Sequence, residues 1–549
     1  MAKKKTETNK GNFTATCSSV VNGVISIFLL IAVVVLPLIY DNSYFNILET
    51  KYKCFYVSVL AMLAVLLILG ISMFVIDRSE YQGVHTKEFF GWLHWKNWKQ
   101  LSIADIAVIV FWIVCVISTM QSEYVYESFW GNEGRFSGLF LMTLYVLMYF
   151  VVSRLWKGNK LVLQAFLIAG MIVCGIGITD YFQLDILRFR THIKPEQSTV
   201  FTSTIGNINT YTAYVALVMG VSAALFVTEN NRLKSFWYYA CMTISFFAIV
   251  LGCSDNAYLA LGALFAFLPL LVFRSKKGVF RYVVMLATFV TVIQCIDLIN
   301  QKYADMVIGL DSLFQILVNL PALWFLVFGM WLFALAVYVG LYGKGFRSAK
   351  AELGTEEDAA NAMLLKVWTI LLIAGAAGIV FMVIDANVFG NAMRYGALRK
   401  YLVFNDRWGT NRGYIWKKSI QLYENFPVMH KLFGYGPDTF GIMTTRKFMT
   451  EMVDLTGQIF DSAHNEYLQY LLTIGPIGVG AYVLFLLCNS LKMAGCWLHD
   501  KQNSGLVIGC MFAVVCYSFQ AVVNLNLPIV TPVMWVLMSM GIASVRNKI

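Results

Sequence analysis

Charged side chains are scarce in this chain. Asp, Glu, Lys and Arg make up 13% of its 549 residues, while 59% are hydrophobic. A soluble globular domain carries about twice that share of charge. The eleven cysteines include no Cys-x-x-Cys pair, and none falls between residues 386 and 464, so neither a zinc site nor a disulfide framework is implied. There is no G-x-x-x-x-G-K-[ST] phosphate loop, no G-x-S-x-G nucleophile elbow and no His pair at helical metal spacing. Nor is there an Asp-x-Asp pair to hold a divalent ion between a nucleotide sugar and an enzyme. These absences exclude the common nucleotide-hydrolysing, serine-hydrolase and metallopeptidase signatures.

What the chain has instead is apolar runs of the length that crosses a bilayer, about 20 residues each. Fourteen are read, near 20–40, 54–76, 103–120, 136–152, 161–182, 209–228, 236–253, 257–273, 280–298, 320–342, 366–385, 465–491, 505–525 and 528–545. The expected fold is therefore all-α: a polytopic membrane bundle of about 12–14 transmembrane helices. The first run is too long for the apolar core of a cleavable signal, and no small-residue cleavage site follows it, so it is read as the first span. Placing both termini in the cytoplasm puts 25 of the 42 Lys and Arg residues in the inner connections and seven in the short outer ones; the other ten lie in one long connection. That bias satisfies the positive-inside rule, from which long loops are exempt. The net charge of +11 is accordingly read as inner-leaflet anchoring to membrane lipid and not as a nucleic-acid surface.

The chain divides into a basic cytoplasmic tail (1–19), about eleven spans (20–385), a large extracytoplasmic loop (386–464) and three C-terminal spans (465–549). The inner 343–366 connection mixes charges and is expected to include a short surface helix. The large loop is rich in aromatics, so it is read as folded. Ile415, Trp416, Ile420 and Tyr423 recur in it at helical spacing up to Pro427. No Lys or Arg falls at a span centre, which argues against an ion-coupled transporter.

Chemistry-bearing residues gather in and beside the loop. Arg394, Arg399, Lys400, Arg407 and Arg412 lie within nineteen residues, a density suited to a lipid diphosphate or to anionic headgroups. In "DSAHNEYLQYLLTIGPIG", Asp461 or Ser462 is expected to cap the following helix, which places His464 in its first turn. The positive end of the helix dipole disfavours imidazolium there, so His464 is expected to be neutral: a general base, or a structural hydrogen-bonding group. Gly475-Pro476 is expected to kink the helix and tilt its first turns over a cavity.

Three stretches together resemble the O-antigen ligase and polymerase superfamily. "AHNEYLQYLLTIGPIG" is similar to its signature after the large loop. "NRGYIWKKSIQLYENFPVMHKLFGYGPDTFG" resembles its loop pattern of Arg, Trp four residues on, Pro and Gly-x-Gly, and "TSTIGNINTYTAYV" its Gly-Asn-x-Asn element. The resemblance spans about residues 200 to 490. It implies a bacterial inner-membrane glycosyltransferase that needs no cofactor or metal. Such enzymes pass a glycan from undecaprenyl diphosphate to a hydroxyl of a glycan, lipid or protein acceptor. It implies that His464 orients or activates that hydroxyl and that Arg412 holds the donor diphosphate, with Asn465 and Tyr467 beside them. The family's second diphosphate arginine is missing: "CSDNAYLAL" puts Asp255 and Asn256 there. Arg135 and Arg407 are the candidate substitutes, while Asp255 either serves the acceptor or sugar or caps the next helix. Asn207 and Asn209 either hold sugar hydroxyls or cap the span they open. The rival reading is a lipid-linked oligosaccharide flippase or exporter; a third is a metal-dependent transferase using Asp41 and Glu49.

Overall fold

In the computed structural model, residues 2–83, 101–310, 313–342, 353–499 and 505–547 are described. Each of the fourteen apolar runs coincides with a helix. In chain order the first eleven are α1 (Phe13–Leu38), α2 (Ile47–Glu80), α3 (Ile103–Gln121), α4 (Leu139–Leu155), α5 (Lys160–Tyr181), α6 (Ile208–Thr228), α7 (Arg232–Leu251), α8 (Asn256–Val272), α9 (Lys276–Lys302), α10 (Leu323–Gly340) and α11 (Ala362–Asn387). The long connection holds α12 (Trp408–Glu424), α13 (Val428–Phe433) and α14 (Phe440–Thr456). The chain ends with α15 (Glu466–His499), α16 (Gly505–Val523) and α17 (Thr531–Arg546). Eleven of these are long and apolar enough to cross a membrane; α4 and α8 are shorter apolar helices. The protein is thus an all-α, multi-pass bundle. The helix expected in the 343–366 connection proves to be an extension of α11, which is helical from Leu353; residues 343–352 lie outside the described residues, as does most of the basic 77–102 connection.

α6 is the hub. Its apolar stretch is wholly buried, and Gly220 lets it meet α16 backbone to backbone, since a Cβ there would lie 2.6 Å from the Phe512 carbonyl oxygen. α10 and α11 are the opposite case, with most of their apolar side chains exposed, as suits helices whose solvent is lipid. Among the described residues the only sheet is a two-residue ribbon, Phe201–Thr202 paired antiparallel with Gly206–Asn207 just before α6. A buried lysine secures this end of the molecule. Lys51 Nζ donates to the Leu36 and Pro37 carbonyls at 2.7 and 2.9 Å, satisfying the end of α1, and Thr204 Oγ1 adds a third bond to Pro37.

The long connection has a core of its own. Tyr414, Ile415, Leu422, Phe440, Phe448 and Phe460 are buried together and close onto Leu472 of α15. The junction is the expected kink. Gly475 leaves helical geometry (φ 70°, ψ 174°), and Pro476 has no N–H to give back to Leu472. The carbonyls released by the break are taken up from outside. Leu472 O accepts from the Tyr435 N–H (3.0 Å), and Thr473 O accepts from the Gly436 N–H (2.9 Å) and the Ser118 hydroxyl of α3 (2.6 Å). Contact this close requires glycine on both sides: a Cβ on Gly434 (φ 78°) would overlap the Thr473–Ile474 backbone, and one on Gly475 would overlap Leu432. Gly434→Ala should therefore release the connection without melting the spans. We expect a loss of about 1–3 kcal/mol at this junction. Limited proteolysis should cut between residues 426 and 465 faster than in the wild type, with helical circular dichroism unchanged.

Candidate functional site

His464 lies just ahead of α15. Its backbone is left-handed at φ 47°, a conformation costly for a residue with a Cβ. The structure corrects the expected cap: Asn465 caps α15, its Oδ1 accepting from the Leu468 N–H at 3.0 Å, and the helix begins at Glu466. Asp461 and Ser462 are taken by a distant partner. Arg135, on the turn before α4, forms a two-pronged ion pair with the Asp461 carboxylate and donates to Ser462 Oγ at 3.3 Å. Trp416 of α12 fixes the other side through Nε1–H to the Ala463 carbonyl at 2.8 Å. The imidazole itself meets the edge of the Phe460 ring, centroids 6.0 Å apart. Neither of its nitrogens has a hydrogen-bond partner among the described residues.

Arg412 follows three consecutive left-handed residues, Gly409, Thr410 and Asn411, that turn the chain sharply into α12. Its side chain is buried, with 6% exposed. Among the described residues its guanidinium has no acceptor. The nearest compensating charge is Asp255; burial pulls the guanidinium below its ordinary range, and Asp255 opposes that. Asp255 occupies the cap position of α8 but makes no capping bond with its side chain. The departure noted in the sequence thus places a carboxylate within electrostatic reach of Arg412.

Burial first, and then these cations, explain the state of His464. Burial lowers its pKa from 6.5 to about 3, and the charges of Arg412 and Arg135 push the same way against Asp461. The expected neutrality holds, but burial and two guanidinium groups cause it. Of the two arginines expected to substitute for the missing one, the structure brings Arg135 to His464. Arg407 is exposed, and its charge is not among those that bear on His464 or Arg412.

The polar residues around α6 are engaged with one another. Asn207 caps α6 through the Asn209 N–H at 2.8 Å. Asn209 accepts from Ser254 at its amide oxygen (2.6 Å) and from Asn256 and Asn524 at its carbonyl (2.8 and 2.9 Å). Asn209 thereby braces the backbone that carries Asp255, while Asn207 serves as the cap of α6. Tyr467 donates to the Ser518 carbonyl (2.7 Å) and lines one end of an apolar groove of about 690 Å³ between α8, α15 and α16. The groove runs along α16 from Met511 to Val522, about 17 Å of helix and more than half the hydrocarbon thickness. Leu487, Leu491, Phe519 and Val522 are exposed along it, so it opens sideways.

Two carboxylates that the sequence did not single out stand behind His464. Glu466 accepts from the Tyr482 and Tyr517 hydroxyls at 2.8 and 3.0 Å. Asp438, two residues past the Gly-x-Gly of the loop pattern, accepts the Asn132 and Ser137 N–H groups at 2.7 and 3.0 Å and so holds the turn that carries Arg135. Burial raises its pKa from 3.8 to about 7 despite those bonds. Both line a cavity of about 10 Å³, room for one water, beneath the first turns of α15. Asp41 and Glu49, the third reading's carboxylates, are exposed or half-buried, with Glu49 paired to Lys53 at 2.6 Å. Among the described residues no group of three or more His, Cys, Asp or Glu could hold a metal ion. Comparison with protein-family models finds no match, and neither does comparison with curated proteins.

The two shifted groups act on stability with opposite sign. For His464 the unfolded chain binds a proton near pH 6.5 that the folded protein refuses until about pH 3; its contribution is full above 6.5 and is lost as pH falls. Asp438 keeps its proton up to about pH 7 in the folded protein and only to about 3.8 unfolded, so its contribution is full below 3.8 and is lost as pH rises through 7. Thermal unfolding followed over about pH 5 to 8 should show the alkaline loss reduced in Asp438→Asn and the acid loss reduced in His464→Gln.

Proposed function

We propose that this protein is a membrane glycosyltransferase of the O-antigen ligase and polymerase type. It moves a glycan from undecaprenyl diphosphate to an acceptor hydroxyl on the outer face of the bacterial inner membrane, with both termini cytoplasmic. One observation carries this reading: a buried Arg412 guanidinium lies within electrostatic reach of a neutral His464 imidazole, neither with a hydrogen-bond partner among the described residues, and Tyr467, three residues on from His464, lines an apolar groove with exposed walls. A buried guanidinium without an acceptor is costly, and a diphosphate supplies both the acceptor oxygens and the opposite charge. The polyprenyl chain takes the groove, and its diphosphate meets Arg412 and Arg135. The three sequence motifs point to the same chemistry.

The acceptor oxygen bonds to the anomeric carbon as the bond from that carbon to the diphosphate oxygen breaks. The diphosphate leaves with the electron pair, and the acceptor's proton passes to His464. A single displacement inverts the anomeric configuration, and Arg412 stabilises the charge that grows on the leaving group. An imidazole titrating near pH 3 is a weak base in the free protein. Donor binding moves it upward, because a diphosphate on Arg412 and Arg135 offsets the two cations that add to the effect of burial. The base is therefore strengthened only when the donor is in place. The flippase reading needs a polar route for the glycan, whereas the groove is lined almost entirely by apolar residues, with Ser490 and Ser518 the small polar exceptions.

The test is transfer by purified protein in vesicles with undecaprenyl-diphosphate glycan and EDTA. We expect wild type to extend or transfer the glycan without metal. His464→Ala should lose about 10²–10⁴-fold in rate, and Arg412→Ala about 10²–10³-fold. Wild-type activity in both variants would refute the site; lipid movement across the bilayer without transfer would establish the flippase.

A further inference from the structure

At the other end of α3 from the candidate site, a second group of charges is out of balance. Gln121, at one end of that helix, donates to the Gly434 carbonyl of the long connection (2.7 Å); Asp105, at the other, lies about 24 Å away along it. The Asp105 side chain is fully buried. It accepts from the Ser102 N–H and hydroxyl at 2.9 and 2.7 Å, the Tyr149 hydroxyl at 3.3 Å, Arg546 Nη2 at 2.8 Å to both oxygens and Arg154 Nη2 at 3.2 Å. Those contacts occupy all of its about four lone-pair sites.

Among the described residues, three cations face this one carboxylate. Arg154 ends α4, Arg546 ends α17, and Lys492 lies near the end of α15 within electrostatic reach of all three other groups. Three positive charges against one leave two in excess. Donors are in excess too. Among the described residues, Arg154 Nε and Arg546 Nη1 are buried with no hydrogen-bond partner, and Lys492 makes no ion pair. Buried donors without acceptors mark a place where an anion completes the structure. The arginine side chains are still 21% and 20% exposed, so the cluster is reachable.

We propose that this cluster binds the phosphate of an anionic phospholipid from the leaflet on that side, which the Lys and Arg distribution makes the cytoplasmic one. The surroundings favour a lipid over a free anion. Arg154 shares one face of α4 with Phe150, whose ring lies 5.7 Å from its guanidinium, and with the exposed Leu147 one turn further in. That strip gives an acyl chain an apolar track running away from the phosphate. The lipid's phosphate oxygens supply acceptors that Asp105 has none left to offer. A basic pocket between transmembrane helices on the inner side is the form such recognition takes.

The test is native mass spectrometry of the full chain released from detergent with phosphatidylglycerol or phosphatidylcholine. Wild type should retain phosphatidylglycerol in preference. Lys492→Gln leaves the Asp105 ion pairs in place and should weaken that retention about fivefold, Lys492→Arg should restore it, and phosphatidylcholine retention should not change. Lys160→Gln, an exposed cation on the same side at the start of α5, should have no effect. Equal retention of the two lipids, no effect of Lys492→Gln, or an equal loss in Lys160→Gln would each overturn the proposal. So would inorganic phosphate raising the melting temperature of wild type as much as phosphatidylglycerol does, since that would make the ligand a free anion.

Discussion

Two backbone carbonyls, those of Leu472 and Thr473, decide how this molecule is put together. In an uninterrupted helix they would be spoken for within α15. Pro476 and the non-helical Gly475 release them at a depth where water is scarce, and an unpaired carbonyl there is expensive. The turn at Tyr435 and Gly436, with Ser118 of α3, supplies the donors. That exchange sews the long connection to the bundle and sets the angle of the first turns of α15. It therefore also fixes where Asn465, His464 and Asp461 stand relative to α12 and the turn carrying Arg135.

The candidate site built on that junction is balanced in charge but short of an acceptor for Arg412 among the described residues. Arg412 and Arg135 are brought toward an imidazole, with Asp255 and Asp461 as the facing carboxylates. The backbone is left-handed at His464 itself, at Asn411 just before Arg412 and at Cys253 ahead of Asp255. Such conformations persist only where surrounding packing imposes them, and they concentrate where geometry matters more than local comfort. Here the packing is the aromatic core of the connection and the Ser254–Asn209–Asn524 network at the end of α6.

The helices were legible because a bilayer imposes one length on every span, and the apolar runs carry that length in plain view. The kink was legible for a similar reason, since Gly-Pro inside an apolar run has one local meaning. The cap of α15 was misread because its competitor is not local: Asp461 is a good capping residue, but Arg135, 326 positions earlier, claims its carboxylate. Asp438 and Glu466 were missed because each sits in a stretch with a simpler explanation, a turn and a helix start, and their burial depends on distant neighbours. Lys51 lay outside the span read near 54–76. α2 begins earlier, at Ile47, and the lysine's role depends on carbonyls of another helix. Asp255 was visible as a departure, but only the fold says which arginine it faces.

The bond from Ser118 to Thr473 joins residues 355 positions apart. A ribosome therefore finishes α3 long before the carbonyl that its Ser118 end will hold exists. Throughout most of synthesis that end of α3 carries a hydroxyl and an amide with no permanent partner, and the turn before α4 waits for Asp438 and Asp461. Contacts of such long range form late, because the intervening chain must first be made and inserted. The surroundings of His464, which need Arg135, α12 and the start of α15 together, can form only after α15 has been made.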